Sequence, residues 1–122
     1  MNIERKHIVK MLEYCQKKWG KSDYHRTFPK LRVHKKSSKY DVKFGEFNYE
    51  TNTIYLYLSS HDSVVEMCDT IVHEYTHYLQ NMDKMYDKYM TKYYKRYDNH
   101  PYEITAVNRG KKYKWECLKY IW

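Results

Sequence analysis

His73, Glu74 and His77 form the pattern H-E-x-x-H within the segment DTIVHEYTHYLQNM. Residues four apart on a helix differ by about 40° in direction, so the two histidines can reach one metal ion from the same side. Glu74 lies about 100° round from His73, beside such an ion, where its carboxylate can take a proton from a zinc-bound water. The pattern therefore predicts a helical zinc site with a neighbouring general base.

The residues around this pattern indicate a buried helix. A chain of this composition would contain roughly 0.03 such patterns by accident. The flanking positions carry no charge, although 31% of the chain is charged. They are Ile71, Val72, Tyr75, Thr76, Tyr78 and Leu79. Two histidines and a carboxylate in a buried helix are costly to desolvate without a metal ion or other polar partners. The alternative is a pair of core histidines that neighbouring side chains satisfy.

A catalytic zinc ion needs a third protein ligand and one open position. The downstream segment DNHPYEITAVNRG offers two candidates, Glu103 and His100. We favour Glu103, because it falls in the first turn of a predicted helix and packing can bring a first-turn carboxylate to the histidine pair. A carboxylate at that position could also serve only to stabilise the helix dipole. His100 precedes Pro101 and could contact a substrate instead.

The periodicity of apolar residues predicts the elements that must position these groups. It indicates a first helix from Asn2 to Trp19 that stops at Gly20, and a central helix around the motif with Ser63 and Glu66 as a capping box. Between them, alternating apolar residues predict about three short strands, the last two joined as a hairpin through the turn ETNT. The apolar members of these strands are Leu31 and Val33, Val42 and Phe44, and Ile54, Leu56 and Leu58.

Two further helices are predicted after the motif. Residues Lys84 to Tyr97 have the pattern of a basic amphipathic helix. Asn99 and Pro101 mark the start of a last helix, which Gly110 could break or bend. The whole chain, residues 1–122, is then predicted to be a single α+β domain. It consists of an N-terminal helix, a small antiparallel sheet of about three strands, the central H-E-x-x-H helix and further C-terminal helices.

The net charge of +8 raises the question of a nucleic-acid partner. Lys and Arg recur in nearly every segment, so we favour a generally basic, solvated surface over a dedicated binding stripe. The alternative to an enzyme is a module of the same fold that binds nucleic acid or a protein through the basic helix Lys84 to Tyr97.

Cysteine usage and the N-terminus predict where the protein resides. Cys15, Cys68 and Cys117 are odd in number, widely spaced and free of C-x-x-C pairs, which predicts reduced, partly buried thiols. The N-terminal segment MNIERKHIVKMLEYCQ lacks the apolar stretch of a secretory signal, and no apolar run approaches a membrane span. We therefore expect a cytoplasmic protein without a membrane segment.

The segments VHEYTHYLQ and HPYEITA resemble the gluzincin metallopeptidases, in which H-E-x-x-H is followed by a glutamate on a later helix. The length and the element order are similar to the small members called minigluzincins, and more loosely to SprT-like and ImmA/IrrE-like peptidases. The match covers residues from about Ile71 to Leu79 and from His100 to Ala106.

This resemblance implies a zincin-like fold and hydrolysis of peptide bonds. It implies that His73, His77 and Glu103 hold one catalytic zinc ion and that Glu74 activates water. It also implies that a peptide or protein substrate lies extended along an edge strand of the sheet, within NTIYLYLSS.

The match departs from the family in two respects. Tyr102 and Val107 stand where the longer gluzincin signature has Asn and Asp, so the carboxylate that would orient a zinc histidine is unidentified. SprT-like peptidases use a third histidine, which keeps His100 open as a ligand.

A peptidase also needs a donor that stabilises charge on the carbonyl oxygen. The chemically able side chains near the proposed third ligand are Tyr102, Arg109, Tyr113 and His100. Sequence alone does not select among them. His61, just before the motif helix, could line the cleft or be merely solvated.

Overall fold

A computed structural model describes residues 3–37, 42–85 and 101–122. Its elements are α1 (Arg5–Trp19), β1 (Lys30–His34), β2 (Gly45–Asn48), β3 (Thr53–Tyr57), a 3-10 turn (Leu58–Ser60), α2 (Val64–Leu79), the short α3 (Met82–Met85) and α4 (Pro101–Ile121). The predicted α+β class is confirmed. None of the helices within the described ranges is long and apolar enough to cross a membrane.

The three strands form a mixed sheet in the order β1-β3-β2. β3 runs parallel to β1 and antiparallel to β2. The prediction of a wholly antiparallel sheet is therefore wrong, because β3 inserts between the two earlier strands instead of following β2 at the edge. Ile54 and Leu56 of β3 are fully buried, and the neighbouring Thr53 and Tyr57 are buried on the other face. A strand covered on both faces is placed most favourably at the centre of a sheet.

The predicted hairpin of β2 and β3 is confirmed, although its first strand starts later than expected. Val42 and Phe44 precede β2 and are exposed. The turn has a local cause: Asn48 Oδ1 accepts hydrogen bonds from the N–H groups of Glu50 and Thr51. Asn52 then adopts a left-handed φ of 52°, which asparagine tolerates better than most residues.

The hydrophobic core lies where α1 and α2 contact both the sheet and α4. Its fully buried side chains include Met11, Cys15, Ile54, Leu56, Cys68, Ile71, Val72, Tyr75 and Cys117. The three cysteines are free thiols within this core, more deeply buried than predicted. α1 ends at Trp19 as predicted, because Gly20 takes a left-handed φ of 75°.

α4 is one continuous helix, so of the break or bend expected at Gly110 the break does not occur. Glu103, Ala106 and Gly110 follow at helical spacing and share one face of α4. A Cβ atom on Gly110 would lie 2.2 Å from Asp69 Oδ1 and 2.9 Å from the carbonyl oxygen of Asp69. Glycine is therefore needed for the close approach of α4 to α2, and this contact sets how near Glu103 comes to the motif helix.

Replacing Gly110 by alanine should destabilise the protein. The added methyl group must push α2 and α4 apart, which costs up to about 3 kcal/mol and outweighs a gain in helix propensity of about 1 kcal/mol. Thermal unfolding should show a melting temperature lower by several degrees. Asn108→Ala, at an exposed position of the same helix, is the matched control and should not lower it. An unchanged melting temperature for Gly110→Ala would contradict the close contact.

Candidate metal centre

The motif helix α2 begins at a cap that resembles the predicted capping box. The Ser63 side chain accepts a hydrogen bond from the Glu66 N–H. The Glu66 carboxylate accepts one from the N–H of Asp62, one residue earlier than a capping box requires. This anchoring fixes the start of α2, and the helix then runs without interruption through the motif to Leu79.

His73, His77 and Glu103 meet between α2 and α4. The Nε2 atom of His73 lies 2.9 Å from Glu103 Oε1, and the Nε2 atom of His77 lies 2.9 Å from Glu103 Oε2. The exposed fractions of the three side chains are 19%, 5% and 13%. The structure thus brings together the two histidines of the motif and the carboxylate favoured from sequence.

The electrostatics of this group favour a positive charge between the three side chains. Burial raises the pKa of Glu103, but hydrogen bonds from His73 and His77 lower it more, so the net pKa lies far below its ordinary value. Burial lowers the pKa of His73, but the hydrogen bond to Glu103 and the nearby carboxylates outweigh it, so the net pKa is raised. A buried carboxylate anion here needs a cation, and either a proton or a metal ion can supply it.

The donor atoms fit a metal ion in number, type and spacing. All of them lie within 4.8 Å of one another. Two imidazoles and one carboxylate form the protein ligand set of several catalytic zinc sites, which keep a fourth position open. With metal–ligand bonds of about 2.0–2.2 Å, tetrahedral ligand atoms lie about 3.4 Å apart, so small side-chain movements would suffice. The group could therefore hold a metal ion.

Glu74 lies on α2 next to this group and lines the same cleft. Only 8% of the residue is exposed. Burial raises the pKa of Glu74 above its ordinary value, while the charges of His77 and His73 lower it in part. Glu74 lines the cleft together with the histidine pair and is not one of the three ligand candidates, as expected from the helical geometry.

A cleft of about 810 Å³ lies beside the three candidate metal ligands, His73, His77 and Glu103. One wall is α2 with Glu74, and the opposite wall includes β2. The prediction of a substrate edge within NTIYLYLSS is wrong, because that segment contains β3, which is paired on both sides. The strand at the edge of the sheet beside the cleft is β2.

Gly45 allows β2 to lie close to the motif helix. A Cβ atom there would lie 2.7 Å from Thr70 Cγ2, 2.7 Å from the Tyr55 carbonyl oxygen and 3.5 Å from Glu74 Cγ. Any larger residue would push the strand away from α2. Gly45 was not predicted to be a site residue, although an isolated glycine at the start of a strand is a known signal of close backbone approach.

Other candidates from the sequence lie elsewhere. The guanidinium group of Arg109 lies over the Trp19 ring, and the Tyr113 ring packs against the same tryptophan. His61 is buried: its Nδ1 donates a hydrogen bond to the Tyr57 carbonyl, and its Nε2 lies 2.8 Å from the Thr70 hydroxyl oxygen. The structure brings none of these three side chains to the cleft lining.

Two sequence predictions fall mainly outside the residues that the structure describes. His100, the alternative third ligand, lies outside them. So does most of the basic helix predicted from Lys84 to Tyr97, of which only the first two residues are described, at the end of α3. A role of either in binding stays a prediction.

Comparisons with models of protein families, with curated proteins and with solved structures found no match for this chain. The class of protein therefore rests on the fold and the site. The chain is an α+β protein in which two helices bring a histidine pair and a carboxylate together in a group that could hold a metal ion. The zincin-like fold and the gluzincin resemblance stay predictions from sequence.

Replacing Glu103 by glutamine should weaken zinc binding at least about a hundredfold, because loss of a residue that merely supports a ligand already costs 10–100-fold. Competition with a chelator of known affinity measures the change. Glu116→Gln, on the same helix but paired with Lys18, is the matched control and should bind zinc like the wild type. Unchanged affinity in Glu103→Gln would exclude Glu103 as a ligand.

Proposed function

We propose that this protein is a zinc-dependent peptidase. The observation that carries the proposal is the convergence of His73, His77 and Glu103, with Glu74 beside them in a cleft bordered by the edge strand β2. A zinc ion held by the three ligands would act as a Lewis acid, which acidifies water and polarises the carbonyl group of a peptide bond.

In this proposal, Glu74 is the general base. The residue lines the cleft next to the ligand group, and its carboxylate would accept the proton of the water that attacks the peptide carbonyl. Burial keeps bulk water from competing for this carboxylate, and the rigid helix α2 holds it at a constant distance from His73 and His77. The same carboxylate can pass the proton to the leaving amine.

The substrate in this proposal is an extended peptide that pairs with the edge of β2 to which no other strand of the described residues bonds. The Phe44 carbonyl accepts a hydrogen bond from the Tyr57 N–H, and hydrogen-bonded pairs alternate along an antiparallel ladder. The backbone groups of Glu46 therefore face β3, whereas those of Gly45 and Phe47 face the open edge. These outward groups can hold a peptide by strand addition.

The cleft offers this peptide both polar and apolar contacts. Phe44, Phe47, Met82 and Val107 line it and can pack against apolar side chains of a substrate. Phe44 is 57% exposed, so its ring is accessible to such a side chain. We therefore expect a bulky apolar residue near the cleaved bond.

Replacing Glu74 by glutamine should abolish most hydrolysis without loss of zinc. Glutamine keeps the shape of the side chain but cannot accept the proton, so the rate should fall about a hundredfold to ten-thousandfold. The rate of hydrolysis is measured by mass spectrometry of a peptide mixture after incubation with the zinc-loaded protein. Glu66→Gln, in the same cleft, is the control and should retain activity. Full activity of Glu74→Gln would refute the mechanism.

Substrate pairing with β2 should protect alternate backbone amides. The inactive Glu74→Gln variant is mixed with a peptide that the wild type cleaves, and amide exchange is followed by NMR. The amides of Gly45 and Phe47 should become slower to exchange, because the peptide covers them. The Glu46 amide, already bonded to β3, is the internal control and should change little. Protection of neither outward amide would show that the peptide binds elsewhere.

A further inference from the structure

Gln80 contacts both α2 and α4, the two helices that carry the candidate metal ligands. Its Oε1 atom lies 2.8 Å from Nδ1 of His77, and its Nε2 atom donates a hydrogen bond of 3.1 Å to the carbonyl oxygen of Tyr102. Tyr102 directly precedes Glu103 in the first turn of α4. One amide therefore links one candidate ligand to the backbone next to another.

The hydrogen-bond chemistry of these groups determines how the amide is oriented. The Tyr102 carbonyl can only accept, so the NH₂ group of Gln80 must face it. The carbonyl oxygen of the Gln80 side chain must then face His77. Because this oxygen also can only accept, Nδ1 of His77 must carry a hydrogen. The Nε2 atom is thereby directed towards Glu103 and the candidate metal position.

The end of α2 explains why Gln80 can make both contacts. The residue is the C-cap of the helix, with φ −88° and ψ 154°, so its backbone leaves the helical path directly after Leu79. Its N–H still bonds to the His77 carbonyl oxygen, which keeps the residue close to that turn. The side chain can then reach back to the imidazole and across to α4.

We propose that Gln80 is a positioning residue that holds the hydrogen on Nδ1 of His77 and so presents Nε2 to the metal ion. This inference rests on the proposed metal site. Histidines that bind metals usually donate their second N–H to a carboxylate, a backbone carbonyl or water. Here a side-chain amide has that role, and it also ties the ligand to the helix that carries Glu103. It would supply for His77 the orienting contact for which the sequence identified no carboxylate.

Zinc affinity tests the proposal through two substitutions at Gln80. Gln80→Ala removes the acceptor and should weaken zinc binding about 10–100-fold, as measured by chelator competition. Gln80→Glu keeps an acceptor for the His77 N–H but loses the donor to Tyr102, so it should bind zinc more tightly than Gln80→Ala. Gln16→Ala, on α1, is the matched control and should bind like the wild type. Equal affinities of Gln80→Ala and the wild type, or equal losses in both Gln80 variants, would overturn the proposal.

NMR of the metal-free protein separates this inference from the proposed function. A nitrogen–proton correlation spectrum of the imidazoles should show hydrogen on Nδ1 of His77 in the wild type. In Gln80→Ala the acceptor for Nδ1 is gone, so the hydrogen on Nδ1 should be lost while the one on Nε2, which faces Glu103, is kept. Hydrogen on Nδ1 in both proteins, or in neither, would overturn the positioning role even if zinc binds. A wild type that binds no zinc but shows this change would refute the metal site and leave the hydrogen bond established.

Discussion

The close contact between α2 and α4 is the constraint on which the candidate site depends. Gly110 has no side chain where α4 meets Asp69, so the two helices can approach until the Glu103 carboxylate bridges His73 and His77. Buried carboxylates and imidazoles are costly to desolvate, and each member of this group offsets that cost only because the others lie within hydrogen-bonding distance. The same arrangement that satisfies three buried polar groups also forms a set of donors for a metal ion.

The sheet forms the second wall of the cleft, and here too a glycine allows the close approach. Gly45 lets the edge strand β2 lie against the motif helix near Glu74, at a distance that any side chain would increase. β3 is paired on both sides and gives the sheet its buried centre, which leaves β1 and β2 as edge strands, and of these two β2 lines the cleft. Two glycines thus bring three elements together: Gly110 admits the third ligand, and Gly45 admits the edge on which a peptide could lie.

Gln80, at the C-terminal end of α2, links a candidate ligand of that helix to α4. Gln80 leaves the helical path at the C-cap of α2, and its side chain contacts both the His77 ring and the Tyr102 carbonyl of α4. The link makes the position of the imidazole depend on the start of α4. In the proposed peptidase, the geometry of the ligands is therefore supported from both helices, which is what a metal site with defined distances requires.

The sequence by itself determined the features that depend on neighbours along the chain. The H-E-x-x-H spacing, the apolar period around it and Pro101 before Glu103 were enough to predict two helices and the ligand candidates on them, because helical geometry is local. Only the tertiary structure decided that β3 is central and β2 is the edge, that Gly110 is a contact and not a break, and that Gln80 reaches His77 and Tyr102. These features arise from contacts between segments far apart in the chain, and residue periodicity carries no information about which distant segments meet.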